Sequence, residues 1–510
     1  MKKSRLALGI VTLLSLGYIS ASWYTGNVIE KNFDHLLQET TQKINDNQHL
    51  FSIDISKNHY ERSLFSTTSH LTVTLTFIDP NDAKEHHQKI FDDNISIYHG
   101  PFPIAALAKG SFTPKMAWFE YEMEEQTSPI LWKLSGNKPF ITAHGGLSYG
   151  NYLTIKLMNK AISATKSELD ALEGKLDISE GDFIVEANPK QTFVSTAKFD
   201  KLNYMLNNDN YISLDSFNIS TAPTPDGSGV SYKISAEKIQ ANILEYYISG
   251  LEIQNFENNG NYTLNNKDIL TANSKTSIDK IKINSTNLPF IKLPAVEIDN
   301  LSITQDNYLN SQNSINGLIN TNIGSLSMGK QNLGAGVLSL NYEGIEKTFM
   351  GYPIFSSSEK EESATNSPVD FKFSLDNFNW HNDEGDIQAK AYIELLDNKK
   401  LTLNTDFNQL KTFKLKFDVP FKVLARLLTQ FQYYSDENIS PEEFKKTYRN
   451  LTLMEIIFLR KNPFLVFSNN DNDKGFYTDI DYDQNREEVL INGKEISKHD
   501  FFNNLNKRLP

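Results

Sequence analysis

The sequence predicts a mainly β protein of the α+β class. It has an N-terminal transmembrane helix, then an extended, largely antiparallel twisted sheet with a few late helices. Three observations predict this. The first two dozen residues are basic and then apolar. From residue 50 onward, apolar and polar residues alternate with a period of two. Helical spacing of apolar residues returns only toward the C-terminal end.

Lys2, Lys3 and Arg5 precede an uncharged apolar run from Leu6 to about Tyr24, with Leu8, Ile10, Leu13, Leu14, Leu16 and Ile19 inside it. At 1.5 Å per residue, about 18 residues just span a hydrocarbon layer of about 30 Å. Trp23 and Tyr24 fall where an interfacial aromatic pair lies, and the basic start predicts a cytoplasmic N-terminus. Ser20-Ala21-Ser22 offers the small residues of a cleavable signal peptide, and a buried core helix is the blandest alternative. The anchor is preferred because the helical pattern continues past the aromatic pair. Ile29, Phe33, Leu36, Leu37 and Ile44 keep helical spacing, with Glu30, Lys31, Asp34 and Glu39 between them. Residues 1–48 therefore read as a membrane anchor and juxtamembrane helix.

Residues 49–355 read as a strand-rich body. Leu71, Val73, Leu75 and Phe77 alternate with threonines, and Leu153, Ile155 and Leu157 alternate with Thr154 and Lys156. Val230 to Ala236, Phe371 to Leu375 and Phe413 to Val419 do the same. Each pattern gives a strand one buried face and one wet face, the usual state of antiparallel sheet. A loose hexamer recurs as apolar, small or acidic, any, apolar, polar, apolar. It starts at Phe199, Leu214, Ile248, Ile278, Ile298, Ile323 and Leu375. Its first two apolar positions are three apart, which breaks the alternation by one residue. A bulge or bend at the start of each strand restores it. The copies are irregularly spaced, which disfavours a fixed-period solenoid.

Residues 356–368, rich in Ser and Glu, read as a linker, and 369–510 as a C-terminal strand and helix unit continuing the body. A softer boundary falls near 160–174, with a short helix around Asp170 to Glu173. Phe421, Leu424, Leu427, Leu428 and Phe431 form an apolar helical face after Pro420. Ser440-Pro441-Glu442-Glu443 is a capping box with Pro at the first helical position. A strand over 476–482, a hairpin turn at Asn492-Gly493 and a terminal helix over 501–505 capped by Asp500 complete the chain.

The bulk numbers exclude several function classes. The 510 residues exceed what one core usually serves, and 39% hydrophobic content suits a globular body. A net charge of -13 opposes binding to nucleic acid or anionic lipid through charge alone. Cysteine is absent, which removes disulfides, thiolate metal sites and a Cys nucleophile. Gly146-Leu147-Ser148-Tyr149-Gly150 matches the G-x-S-x-G nucleophile elbow, after His144-Gly145-Gly146. That elbow needs a strand before it and a helix after it, whereas a strand-like segment follows here, so a Gly-rich hairpin turn is preferred. Asp471-Asn472-Asp473 and Asp479, Asp481, Asp483 hint at calcium but lack the full loop pattern, and a solvated strand face is simpler. Eight of the ten His lie between 35 and 144 without metal-ligand spacing, so no metal or cofactor is expected.

Short motifs at both ends resemble the YdgA/YihF-like family, bacterial envelope proteins defined by a domain of unknown function. They are Trp23-Tyr24-Thr25-Gly26 with Glu30, and Tyr60-Glu61-Arg62-Ser63-Leu64-Phe65-Ser66, which resembles that family's Tyr-x-Arg-Gly strand start with Ser63 in place of Gly. His99-Gly100-Pro101 resembles its His-Gly-Pro turn, and Val489 to Lys494, with Asn492-Gly493, its closing strand. The resemblance implies inner-membrane anchoring, a periplasmic body and self-association. It implies no catalytic residue.

These readings lead to one expected function and two rivals. The first is a non-enzymatic, membrane-anchored periplasmic protein, a scaffold handling lipid or another apolar ligand along a sheet groove. The second is a structural or interaction protein acting as a homodimer or through a partner. The third, more remote, is a hydrolase using Ser148.

Overall fold

The computed structural model describes residues 2–46, 51–78, 85–168, 173–188, 191–226, 228–243, 248–265, 268–284, 286–287, 292–310, 314–346, 370–396, 409–436, 438–461 and 474–506. Helix α1 (Lys2–Asp46) leads into β1 (Phe51–Arg62), β2 (Ser66–Ile78) and β3 (Glu85–His99). The short α2 (Ile104–Ala108) precedes β4 (Ala117–Glu122), and α3 (Pro129–Leu134) precedes β5 (Ile141–Leu147) and β6 (Leu153–Asn159). A small hairpin of β7 (Ile162–Thr165) and β8 (Lys175–Ile178) comes before β9 (Gly181–Asn188). Five long strands follow: β10 (Gln191–Asn207), β11 (Asn210–Pro223), β12 (Gly229–Ile243), β13 (Ile248–Asn265) and β14 (Asp268–Ile283). After the two-residue β15 (Thr286–Asn287) and β16 (Lys292–Leu293) come β17 (Val296–Leu309), β18 (Ser314–Met328) and β19 (Gln331–Glu346). The chain continues as β20 (Phe371–Asn382), β21 (Gly385–Leu395), β22 (Leu410–Pro420), α4 (Phe421–Gln432) and α5 (Pro441–Lys461). It ends in β23 (Gly475–Asp483), β24 (Glu488–Ile491), β25 (Lys494–Ser497) and α6 (Lys498–Asn506).

All strands but β15 and β16 join one antiparallel sheet of 23 strands. It is a meander. β1 through β6 pair in sequence order, β6 pairs with β9, and β9 through β14, β17 through β22 and β23 through β25 continue the ladder. The β7–β8 hairpin sits beside β9 and pairs with β10 through β8. The alternating segments of the sequence all fall inside these strands, as period-two patterning requires.

Partners in register share a face, so one face can be followed across the sheet. In the centre its rows are apolar. Leu214, Ile239, Ile253, Ile281, Ile298 and Leu326 pair in one continuous line from β11 to β18. Ile212, Ala241, Leu251, Ile283, Val296 and Met328 form the row beside it. A third row includes Ala236 opposite Phe256, then Ile278, Leu301, Ile323, Gly336, Trp380 and Ile387. Trp380 lies over Gly336, and Tyr342 lies over Gly317, so aromatic rings cover backbone that has no side chain of its own.

The hexamers align in space. Lys201, Asp215, Lys238, Gln254, Lys280, Asp299 and Ser325 pair in one line crossing seven strands. Ser216, Asn255 and Asn300, next to that line, have φ of 53°, 51° and 54°. Left-handed backbone is uncommon outside glycine, and here it lets apolar residues three apart stay on one face. Neighbouring strands break together, so register is kept across the line. The break sits within most strands, not only at their starts as the sequence suggested. The copies at Ile248 and Leu375 coincide with register shifts off this line, and Asn255 marks a break that the hexamer pattern missed.

Among the described residues, the two clusters of buried hydrophobics lie at opposite ends of the sheet. Ile29 and Phe33 of α1 pack with Ile97 and Ala117 at the N-terminal end. Ile480, Tyr482, Val489, Ile491 and Phe501 pack under α6 at the other. Helix α4 closes strand ends of β19 to β23: Phe421 is buried edge-on to Phe476, and Asn382 donates to the Val423 carbonyl.

Local expectations hold with some corrections. Ser440 caps α5 by accepting from the Glu443 amide, and Asn492-Gly493 turn with φ of 51° and 76°, as a tight hairpin between β24 and β25 demands. The terminal helix starts three residues earlier than expected. Its cap is Ser497, which accepts from the Asp500 amide while its hydroxyl donates to the Asp500 carboxylate. Tyr60 to Ser66 is a strand end and hairpin, not a strand start, and Ser63 does not take the positive φ that would call for Gly. The linker at 356–368, the core of the short helix expected near Asp170 and the Asp471–Asp473 run lie outside the described residues.

Candidate functional site

Two features stand out: the way α1 is clasped to the sheet, and an apolar face beyond it that no described element covers. The clasp is built from residues far apart in sequence. β3 ends in His99-Gly100-Pro101, and Gly100, at φ 125°, turns the chain directly onto Ser22 of α1. His99 is 1% exposed, and its Nδ1 donates to the Ser22 carbonyl at 2.9 Å. A Cβ on Gly26 would sit 2.5 Å from the His99 ring, so only glycine lets helix and ring meet here. One turn on, Glu30 pairs with Arg62 at 2.8 Å, and Phe33 packs on Tyr60 with ring centroids 5.2 Å apart. At the far end of the helix, Asn45 exchanges two hydrogen bonds with the Ile53 backbone.

The motif positions Gly26, Tyr60, Arg62, His99 and Gly100 thus meet at one junction, with Pro101 following in its turn. Trp23 and Tyr24 point away from the junction and are exposed. Asn492 and Gly493 lie at the opposite end of the sheet. Sequence reasoning grouped these residues by resemblance only. The contact between Gly26 and His99 spans 73 positions and has no local signal.

Burial holds the His99 pKa below its usual value, with a further push from the Arg62 charge, while backbone carbonyls of Ser22 and Ser66 oppose it. The folded protein therefore binds fewer protons than the unfolded chain between the lowered pKa and about 6.5. The stability this confers is fully present above that range and is lost as pH falls through it. Thermal unfolding at pH 7.5 and pH 5.5 is expected to show a loss in the native protein that is smaller in His99→Gln. Equal losses in the two proteins would contradict the assignment.

The second feature is the bare face. From β11 to β18 its side chains, among them Ile239, Ile253, Ile281, Ile298 and Leu301, are half-buried, and among the described residues no second layer covers them. Buried hydrophobics among the described residues there are few: Ala236, Ala241, Ile278 and Ile315. The opposite face is a ladder of ion pairs. Lys238 meets Glu252 at 3.0 Å, Lys280 meets Glu297 at 3.1 Å and Asp299 at 3.4 Å, and Ser325 donates to Asp299. Lys280 holds the Glu297 carboxyl below the usual range. The sheet is therefore amphipathic as a whole, one face wet and charged, the other apolar for about 25 Å across six strands at roughly 4.8 Å each. Following the register, the same face runs on to the α1 clasp at one end and to the α6 cluster at the other.

The other sequence candidates resolve into structure. Ser148 lies in the β5–β6 hairpin, where its Oγ accepts from the Tyr152 amide, and a strand follows it, not a helix. His144 stacks on Trp118. Asp479 and Asp481 face Lys416 and Lys414 across the β22–β23 ladder. Among the described residues no group of three His, Asp or Glu is placed to hold a metal ion. Likewise, no helix among them is long and apolar enough to cross a membrane. The side chains of Leu6, Leu8, Ile10, Leu13, Leu14 and Leu16 fall outside the described residues, while Ile19, like Trp23 and Tyr24, is exposed.

Fold and site together define a class: a mainly β meander of one large antiparallel sheet, clasped at one end by a long N-terminal helix. The chain belongs to the family described as "Bacterial protein of unknown function (DUF945)", which matches residues 1–351. It is similar to Protein YdgA of Escherichia coli (strain K12), 22% identical over 67% of this chain and 59% of that protein. It is also similar to the uncharacterized protein YihF of the same organism, 23% identical over 35% of each chain. An uncharacterized protein of Haemophilus influenzae is 28% identical over 22% of this chain and 30% of its own length. The chain thus spans less than two thirds of these curated relatives. No solved structure matches it significantly.

Proposed function

We propose that this is a non-enzymatic, membrane-anchored protein of the bacterial envelope, with its body on the periplasmic side, and that its sheet handles lipid or another apolar ligand along the bare face. One observation carries the reading: registered rows of Ile, Leu, Val and Phe cross β11 to β18 with no layer over them among the described residues, while the reverse face is an ion-pair ladder. A large contiguous apolar surface on a monomer marks an interaction site. Lipid fits because the basic-then-apolar start of α1 supports an inner-membrane anchor, and the register carries the same face from the clasp onward.

The test is to purify the full chain from membranes in a mild detergent and identify co-purifying lipids by mass spectrometry. Lipid retained through gel filtration is the expected result. A lipid-free protein that refuses added phospholipid overturns the proposal. If that protein is also a stable dimer, the bare face is covered by a second copy.

A further inference from the structure

The strand ends near Ser22 and His99 carry a feature that the clasp does not use. Three loops emerge there: 63–65 between β1 and β2, 100–116 between β3 and β4, and 148–152 between β5 and β6. Antiparallel pairing places all three at one end of the sheet. The ends of β1 and β5 where Ile53 and Ile141 lie are opposite, and α1 reaches that opposite end at Asn45. Helix α1 therefore runs the length of these strands, and its first 16 or so residues continue beyond the three loops.

The loops expose apolar side chains around the emerging helix. Phe112 is 74% exposed, Ile104 70% and Tyr152 60%, and Phe65, Phe102 and Tyr149 are exposed as well. They are tied to the helix: Tyr18 donates to the Phe102 carbonyl at 2.8 Å and stacks on Phe65 with ring centroids 5.9 Å apart. In a chain of net charge -13, these loops contain no Asp or Glu but do contain Lys109 and Lys115. Exposed aromatics beside basic residues and without acids suit the boundary between headgroups and acyl chains, where amphipathic rings settle and lysines meet phosphates.

We infer that this rim of loops is a second membrane contact: it seats the body directly on the outer leaflet of the bilayer that α1 enters, inserting Ile104, Phe112 and Tyr152 at the interface. This rests on the anchor reading above. It adds that the body is held upright against the lipid, with the clasped end of the bare face at the membrane and not swinging on a tether.

The absence of cysteine makes the test clean. Single-Cys variants Ile104→Cys, Phe112→Cys and, at the opposite end of the strands, Lys138→Cys are labelled with a nitroxide in the full-length protein. They are then reconstituted in phosphatidylethanolamine–phosphatidylglycerol vesicles. Collision with a water-soluble nickel relaxant is expected to fall several-fold at 104 and 112, but not at 138, relative to detergent-solubilised protein. Labels at 104 and 112 as wet as that at 138, in protein that floats with the vesicles and resists alkaline extraction, overturn the seating and leave the anchor standing. Protein that does not float overturns both.

Discussion

Gly26→Val is expected to pry α1 away from the sheet and to be among the most damaging single substitutions in the N-terminal half. The backbone at Gly26 is ordinary helix, so the conformation tolerates valine. The space does not: the first added carbon already lies 2.5 Å from the His99 ring. That ring cannot step aside, because it is 1% exposed and bonded to the Ser22 carbonyl. Overpacking of this kind costs about 1–3 kcal/mol, and losing the His99 hydrogen bond adds about 1 kcal/mol. Ile29 and Phe33 lie one and two turns along the same helix, so their burial against Ile97 is threatened as well. Thermal unfolding and limited proteolysis of the 26–46 segment report the effect. The double variant Gly26→Val/His99→Ala is expected to recover part of the loss, since removing the ring removes the collision. No destabilisation in the single variant, or no recovery in the double, would refute this account of the clasp.

The largest functional effect is expected from interrupting the bare face without breaking the sheet. Ile281 and Ile298 are direct cross-strand partners in the central apolar row. The pair Ile281→Lys with Ile298→Glu copies the Lys280–Asp299 arrangement of the opposite face. A facing pair of opposite charges keeps a favourable cross-strand contact, so stability is expected to change by only about 1–2 kcal/mol. An apolar ligand would have to leave two charges desolvated, which costs well over the 1.4 kcal/mol that corresponds to a tenfold loss of affinity. Retained lipid is therefore expected to fall by at least about tenfold, as measured by mass spectrometry of protein purified in parallel. The swap Lys280→Glu with Asp299→Lys, on the wet face, is the control and should retain lipid. Equal lipid in all three proteins would remove the bare face from the function.

Much of the sheet was legible because period-two alternation acts on every strand separately. Phe413 to Val419 needs no knowledge of its partners to be recognised as half-buried. The turn at Asn492-Gly493 and the cap at Ser440 were legible for the same reason, since their chemistry is complete within four residues. What was hidden is collective. The hexamers announced a break in alternation, but only pairing shows that Asp215, Lys238, Gln254, Lys280 and Asp299 stand in one line. The clasp was hidden in another way: Gly26 reads as a glycine in a helix and His99 as a turn residue until the fold brings them together. Asp500 misled because an acidic residue suits both the cap and the first turn of a helix, and the position of Ser497 decides between them.

The meander also bears on how the chain reaches this fold. Nearly every strand pairs with its immediate predecessor, and the small β7–β8 and β15–β16 hairpins are the two detours among the described residues. Closing each hairpin costs little loop entropy, and no strand waits for a partner hundreds of residues later. A chain delivered N-terminus first can therefore add strands in the order in which they emerge, each completed edge serving as the template for the next. With α1 clasped to β1 and β3 at the outset, growth has a fixed origin and a single direction, like a zip drawn from a stitched end. The exposed edge, which in most sheets invites unwanted pairing, is here the growing point and is occupied by the next segment of the same molecule until β25 closes the series.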